Sequence, residues 1–237
     1  MEEIKISIIV GTNNNPSKTW GKLYNIFKDI KNRLLEQKLN ICIYSLSGMD
    51  ISMCRGCNSC FYLGKCKYFQ DELSSIIHDI KSSDIVILAS PVYLNNITGI
   101  CKNFLDRMAY LTHILYFRKK LGIVFTYGSR SYTGVANEYL EMVMNYFGIR
   151  VVLNEKLQEY ENDFKLENLK IVILKYIREL KGKKTIHSNE ILNNIYKNIR
   201  NEFRVYKKEK NGFVYDYWTN HKIDQYSSFE ELIDNEK

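Results

Sequence analysis

"DIVILASPVYLNNITGICKNFLDR", residues 84–107, runs from an unbroken apolar stretch through a proline, an aromatic and two asparagines into an amphipathic pattern. The run over 84–93 reads as a strand buried on both faces, because a strand with one wet face would alternate with period two. Pro91 stops it, since proline gives no N–H to a ladder and restrains the residue before it. Helical spacing then predicts a helix from about Ile97 to Tyr116. Strand, polar loop and helix in that order form the repeating unit of a parallel sheet.

The unit recurs on both sides. "IKISIIVG" (4–11) is a strand ending in glycine, and the polar turn "GTNNNPSKT" (11–19) leads into a helix. Ser17 can cap that helix, whose apolar face would carry Trp20, Leu23, Ile26, Phe27 and Ile30. "LNICIYSL" (39–46) is a second, partly exposed strand, and 71–83 a second helix. Further strands are expected at 121–128 and 149–155, with helices at 135–148, closed by Gly148, and at 164–182. The alternation implies a doubly wound α/β domain over 1–182 with helices on both faces of the sheet. An extension over 183–237 adds a charged helix at 188–210, with Ile191, Ile195, Ile199 and Phe203 on one stripe. Its last part carries Phe213, Tyr215, Tyr217 and Trp218, too aromatic for a disordered tail, so it should dock on its own domain or on a second subunit.

A chain of 237 residues suffices for one core with an appendage. Its net charge of +7 suits anionic small molecules, while the lysines form no concentrated stripe of the kind nucleic acid requires. Apolar runs such as 85–90 fall far short of the roughly 20 residues of a membrane span. Acidic residues stand at the N-terminus where a signal peptide would be basic. Cytoplasmic residence is therefore expected, with thiols kept reduced.

In such a sheet, ligands bind beyond the carboxyl ends of the strands. Three loops meet that description: 11–19, 90–98 and 126–134. The first opens a helix, whose free N–H groups can hold a phosphate, with hydroxyls from Thr12, Ser17 and Thr19. It is neither a Walker loop nor the dinucleotide glycine fingerprint. The second presents backbone donors and acceptors beside Tyr93, and the third contributes Gly128 and Tyr132. Together they describe a phosphate hook and two walls for a planar heterocycle.

"CRGCNSCFYLGKC" (54–66) places Cys54, Cys57, Cys60 and Cys66 in one run. Thiolates spaced C-x2-C-x2-C can curl around one face of a cubic iron-sulfur cluster, with a fourth from downstream. Zinc more often takes two separated C-x2-C knuckles. Reactive or structural thiols are the third reading, and Arg55, Lys65 and Lys67 would offset cluster charge or lower thiol pKa values. Cys42 and Cys101 read as core packing, and the four histidines show no metal spacing. No side chain stands out as a catalytic acid, base or nucleophile.

On these motifs the sequence resembles the flavodoxin-like NAD(P)H-dependent FMN reductase family, in its iron-sulfur flavoprotein branch, over about residues 3–155. The resemblance rests on Gly11, Thr12 and Thr19 in the first loop, on "SPVYLNNITGICKNFLDR" (90–107), and on Gly56–Cys57, Gly64–Cys66 and Asp71. Asn14, Ser17 and Lys18 stand where the family has arginine, glycine and asparagine. The resemblance implies a flavodoxin-like sheet of five parallel strands binding FMN. Its site would comprise Gly11, Thr12, Asn14, Ser17, Lys18 and Thr19, then Pro91, Val92, Tyr93, Leu94, Asn95 and Asn96, then Thr126, Tyr127 and Gly128. It implies a [4Fe-4S] cluster on Cys54, Cys57, Cys60 and Cys66, electrons from NAD(P)H or a ferredoxin-type donor, and a redox protein or small-molecule acceptor. A homodimer or homotetramer with the flavin near the subunit interface is likewise implied. The rival expectation is a flavin electron carrier or a thiol-based redox sensor without a cluster.

Overall fold

The computed structural model describes residues 4–14, 22–33, 39–68, 70–128, 134–158, 188–209 and 211–236, with helical turns at 168, 171–176 and 178–179. Five strands, β1 (Ile4–Val10), β2 (Leu39–Ser45), β3 (Ile85–Pro91), β4 (Lys120–Gly128) and β5 (Ile149–Gln158), form one sheet in the order β2-β1-β3-β4-β5, and every pair is parallel. This is the flavodoxin-like order, whose reversal of direction lies between β1 and β3.

The apolar runs follow from burial on both faces. Ile85, Ile87 and Ala89 of β3 join Ile6, Ile8, Ile123 and Phe125 against Phe27 and Ile30 of α1 (Lys22–Arg33) and Ile173 of the turns at 171–176. Val86 and Leu88 point the other way, into a cluster with Ile76 and Ile80 of α3 (Leu73–Ser82), Phe104 of α4 (Gly99–Arg107), and Leu140 and Met144 of α5 (Gly134–Tyr146). Between β2 and α3 lies a short helix, α2 (Ser59–Leu63).

Three expectations are corrected. The helix after β3 ends at Arg107 and gives way to a 3-10 segment, Ala109–Ile114, closed by Leu115 at φ +47°, instead of running to Tyr116. Ile191 is exposed, and the buried stripe of α6 (Glu190–Glu209) is instead Leu192, Ile195, Tyr196, Ile199 and Phe203. Cys101 is fully buried, whereas Cys42 is only half-buried on the outer strand β2. The boundary expected at 182 lies outside the described residues, as do most of the helix expected at 164–182 and His187.

The extension docks on its own domain. Tyr196 of α6, Trp218 of α7 (Phe213–Asn220) and Phe229 of α8 (Phe229–Asn235) are buried in the cluster that holds α3, α4 and α5. Phe203 and Trp218 stack at 4.7 Å, and Trp218 Nε1 donates to the carbonyl of His113 at 2.7 Å. Near the end of the chain the Glu236 carboxylate accepts from the buried Arg118 guanidinium.

Candidate functional site

The carboxyl edge of β1, β3 and β4 brings three of the predicted segments together. Gly11 leaves β1 with its N–H on the carbonyl of Ala89 at 2.7 Å, and a Cβ there would sit 2.5 Å from Cys101 Cβ. Only glycine lets the β1 loop lie this close to the first turn of α4. Thr98 locks the same junction: its Oγ1 donates to Gly11 O at 2.5 Å and accepts from Cys101 N at 3.2 Å, capping α4. Ser90 Oγ accepts from Thr98 N at 3.2 Å and donates to the carbonyl of Pro91.

Beyond Pro91, Val92 N donates to Tyr127 O at 2.8 Å, which joins the second and third loops. Tyr93 and Asn96 exchange N–H···O=C bonds of 2.8 and 3.0 Å around Leu94 (φ +48°) and Asn95 (φ +62°). Two consecutive left-handed residues make a type I′ turn. Asparagine tolerates that region, whereas leucine there is strained, a state that persists where the surroundings impose it and that gathers at functional sites. The Leu94 side chain is 101 % exposed and Tyr93 44 % exposed at the turn's tip. The turn thus projects an apolar and an aromatic side chain into open space, available to cover a flat ring.

In the first loop, Thr12 is buried and its Oγ1 accepts from Asn14 N at 3.1 Å, while Asn14 O accepts from Ser47 Oγ at 3.0 Å. Ser17, Lys18, Thr19 and Tyr132 lie outside the described residues. Tyr127 and Gly128 end β4 half-buried on the rim. Thr126, just before them, is fully buried, and its hydroxyl donates to Asn137 of α5 beneath the rim. Asn137 in turn donates to Glu155 O at 3.0 Å and to Asn154.

The cysteine segment leaves β2, next to β1, on the same edge. Cys54, Cys57, Cys60 and Cys66 are all free thiols and line one open cavity of about 80 Å³ with Arg55, Lys67, Arg107 and Tyr68. Gly56 (φ +64°), Asn58 (φ +57°) and Gly64 (φ +67°) supply the left-handed turns that curl the backbone around it. Among the described residues no three His, Cys, Asp or Glu side chains converge on a point where one metal ion could sit. The thiols surround a space instead. Burial pushes the Cys60 thiol pKa up, and the charges of Cys54, Cys57 and Cys66 push it further. Hydrogen bonds from the Ser59 side chain and N–H hold the exposed Cys57 thiol below its ordinary value.

What anchors this segment was not legible in its cysteines. Asn103 of α4 accepts from Cys54 N at 2.9 Å, and Arg107 donates to Ser52 O at 2.6 Å and to both oxygens of Asp71 at 2.7 and 3.2 Å. The Arg107 and Asp71 side chains are only 3 % and 6 % exposed. Burial acts to raise the Asp71 pKa, but the guanidinium and the Ser52 N–H outweigh it and hold the carboxyl below its ordinary range. Helix α4 therefore carries the ring-side turn at its N-terminus and the cysteine segment at its C-terminus. The Asp-Arg ending of 84–107 was the available signal.

The sequence profile of the NADPH-dependent FMN reductase family matches residues 4–159. An iron-sulfur flavoprotein of Clostridioides difficile is 34% identical over 122 residues, 52% of this chain and 53% of that protein. An iron-sulfur flavoprotein of Methanocaldococcus jannaschii is 26% identical over 145 residues, 61% of this chain and 74% of that protein. The chain thus spans about half the length of the first of these relatives. Among solved structures, a WrbA-like flavodoxin from Agrobacterium tumefaciens aligns with TM-score 0.54 at 10% identity, over 77% of this chain and all of that one, a likeness of fold.

Proposed function

The chain belongs to the NADPH-dependent FMN reductase family, and from that premise we propose that it is an FMN-dependent oxidoreductase with a [4Fe-4S] cluster on its cysteine segment. The observation that carries the reading is that one helix holds both candidate segments: Thr98 and the turn at 93–96 lie at one end of α4, and Asn103 and Arg107 hold Cys54 and Ser52 at the other. When bound, FMN supplies acceptance of a hydride from NAD(P)H, or of electrons from a ferredoxin-type donor, and the cluster supplies single-electron transfer. The names of the relatives support the second group, and so does the cavity. Thiols spread around a space suit a polynuclear group better than a single zinc ion, whose ligands must converge within about 2.3 Å of one point.

The chain's own contribution is positional. The amides of Leu94 and Asn95, unbonded among the described residues, can donate to the polar edge of the ring. Leu94 and Tyr93 shield its face, and Gly11 with Thr12 opens the phosphate side. Arg55 and Lys67 on the cavity wall offset thiolate charge. Ser17, Lys18 and Thr19 complete the phosphate hook in this reading. A redox protein or small-molecule acceptor, a homodimer or homotetramer, and cytoplasmic residence belong to the same proposal. Among the described residues no helix is long and apolar enough to cross a membrane.

The absorption spectrum and the iron and sulfide content of anaerobically purified protein test the proposal. Flavin bands with a broad shoulder and matching iron and sulfide are expected, with bleaching on addition of NAD(P)H. A colourless protein that takes up no FMN overturns it, and Cys57→Ser that keeps full iron content overturns the ligand assignment. The exposed Cys57, with its lowered pKa, favours a second reading as a thiol-based redox sensor. In that case Cys57 would be alkylated rapidly at neutral pH and no iron would be found.

A further inference from the structure

Helix α2 contains Cys60 and leads through Gly64 towards Cys66, yet none of its residues is buried, and a five-residue helix does not hold itself in water. Its support comes from the far end of the chain. Gly64, the residue that ends α2 at φ +67°, leaves a notch filled by the ring of Phe213. A Cβ on Gly64 would come within 2.4 Å of that ring, so no other residue would admit it unshifted. The contact is reciprocal, because Gly212 (φ +94°), just before α7, lies against Tyr62, where a Cβ would sit 3.0 Å from Cδ1. Two glycines thus let the backbones of α2 and α7 approach closely.

A second layer stands behind the first. The Phe213 ring packs edge-on against Tyr110 of the 3-10 segment at 6.0 Å. Phe61 meets the His113 ring edge-on at 5.0 Å, and the His113 carbonyl is held by Trp218 of α7. The side chains facing the cysteine segment from this side come from α7 and the 3-10 segment, while α4 holds its beginning, at Ser52 and Cys54, and its exit at Asp71.

We propose that the C-terminal extension is the positioning part for the second half of the cysteine segment: Phe213, seated in the Gly64 notch, holds α2 so that Cys60 and Cys66 line the same cavity as Cys54 and Cys57. The iron readout of its test rests on the cluster reading above; the thiol readout does not. Phe213 is a positioning residue, because it acts on the thiols through α2, which it meets at Gly64.

The test uses the full chain in four forms: wild type, Phe213→Ala, Phe213→Leu and Phe229→Ala. Phe229 is buried in the same extension, on Tyr196, and serves as the control for general loosening. In apoprotein, alkylation by iodoacetamide is followed at each cysteine by mass spectrometry. In anaerobically reconstituted protein, iron loss to a chelator and FMN content are followed. Phe213→Ala should speed alkylation of Cys60 and Cys66 several-fold, leave the already exposed Cys57 nearly unchanged, and speed iron loss several-fold at constant FMN content. Phe213→Leu should restore most of both. Wild-type rates in Phe213→Ala overturn the proposal, and so does an equal increase at Cys60 and Cys66 in Phe229→Ala. Should Phe213→Ala fail to fold, Gly64→Ala enters the same contact from the other side and must give the same pattern. If the wild type takes up no iron, the cluster reading fails, while the alkylation rates still decide the role of Phe213.

Discussion

The turn after β3 is closed by backbone hydrogen bonds between Tyr93 and Asn96, on a strand buried on both faces. The residues from Cys54 to Cys66, which begin nine residues after the outer strand β2 ends at Ser45, are instead held by side chains from α4, the 3-10 segment and α7. Backbone closure next to a packed sheet gives a shape that survives most side-chain changes. A loop held by distant side chains keeps its shape only while each partner is present. The ring-side rim is therefore expected to be robust, and the cysteine segment to be sensitive to single substitutions far from it in sequence.

The largest effect should come from removing the ion pair beneath the cysteine segment. Asp71→Ala strands the buried Arg107 charge, a loss on the order of 3–5 kcal/mol, read as a lower urea midpoint together with faster iron loss. The pH dependence has a definite sign. The folded pKa of Asp71 lies below its unfolded value near 4, so its contribution is complete above about pH 4 and fades as pH falls through the folded value. The stability gap between wild type and Asp71→Asn should therefore shrink on acidification below about pH 4. A gap that grows instead breaks the assignment.

Gly11→Ala tests the opposite side of the comparison. Its Cβ meets Cys101 at 2.5 Å, and overpacking of this kind costs about 1–3 kcal/mol. FMN affinity should fall while the alkylation pattern of the cysteine segment stays as in wild type. Thr98→Val removes a helix cap and the bond to Gly11 O, for a loss of about 0.5–2 kcal/mol. Thermal denaturation of the apoprotein reads that change directly. The smallest effect is expected for Leu94→Gly, which relieves a left-handed leucine and should change stability by less than about 1 kcal/mol. FMN affinity should nevertheless drop if Leu94 covers the ring, and an unchanged affinity removes Leu94 from the site.

Much of this was legible in the residue pattern. The apolar runs at 84–93 and 121–128 announce strands, and the structure buries both in the sheet. Periodicity extends the helix after β3 too far, because the apolar pattern of Tyr110, Leu111 and Ile114 continues through a 3-10 segment that buries those residues equally well. The pattern alone does not separate Ile191 from Leu192, since a charged helix with several isoleucines admits two stripes one residue apart, and the structure buries Leu192. That the Thr126 hydroxyl turns to Asn137 is visible only once α5 lies against β4.

The difference between the two kinds of knowledge has a physical cause. Periodicity records how much of each element is buried and with what repeat, so strand order along the chain, helix faces and the rim loops can be read from local sequence. Which distant side chains meet is a property of the packed whole. Arg107 with Asp71, and Phe213 with Gly64, are ordinary residues in their own neighbourhoods. They became the supports of the cysteine segment only when the chain closed on itself, because close packing and the burial of a charge are settled between elements and not within one.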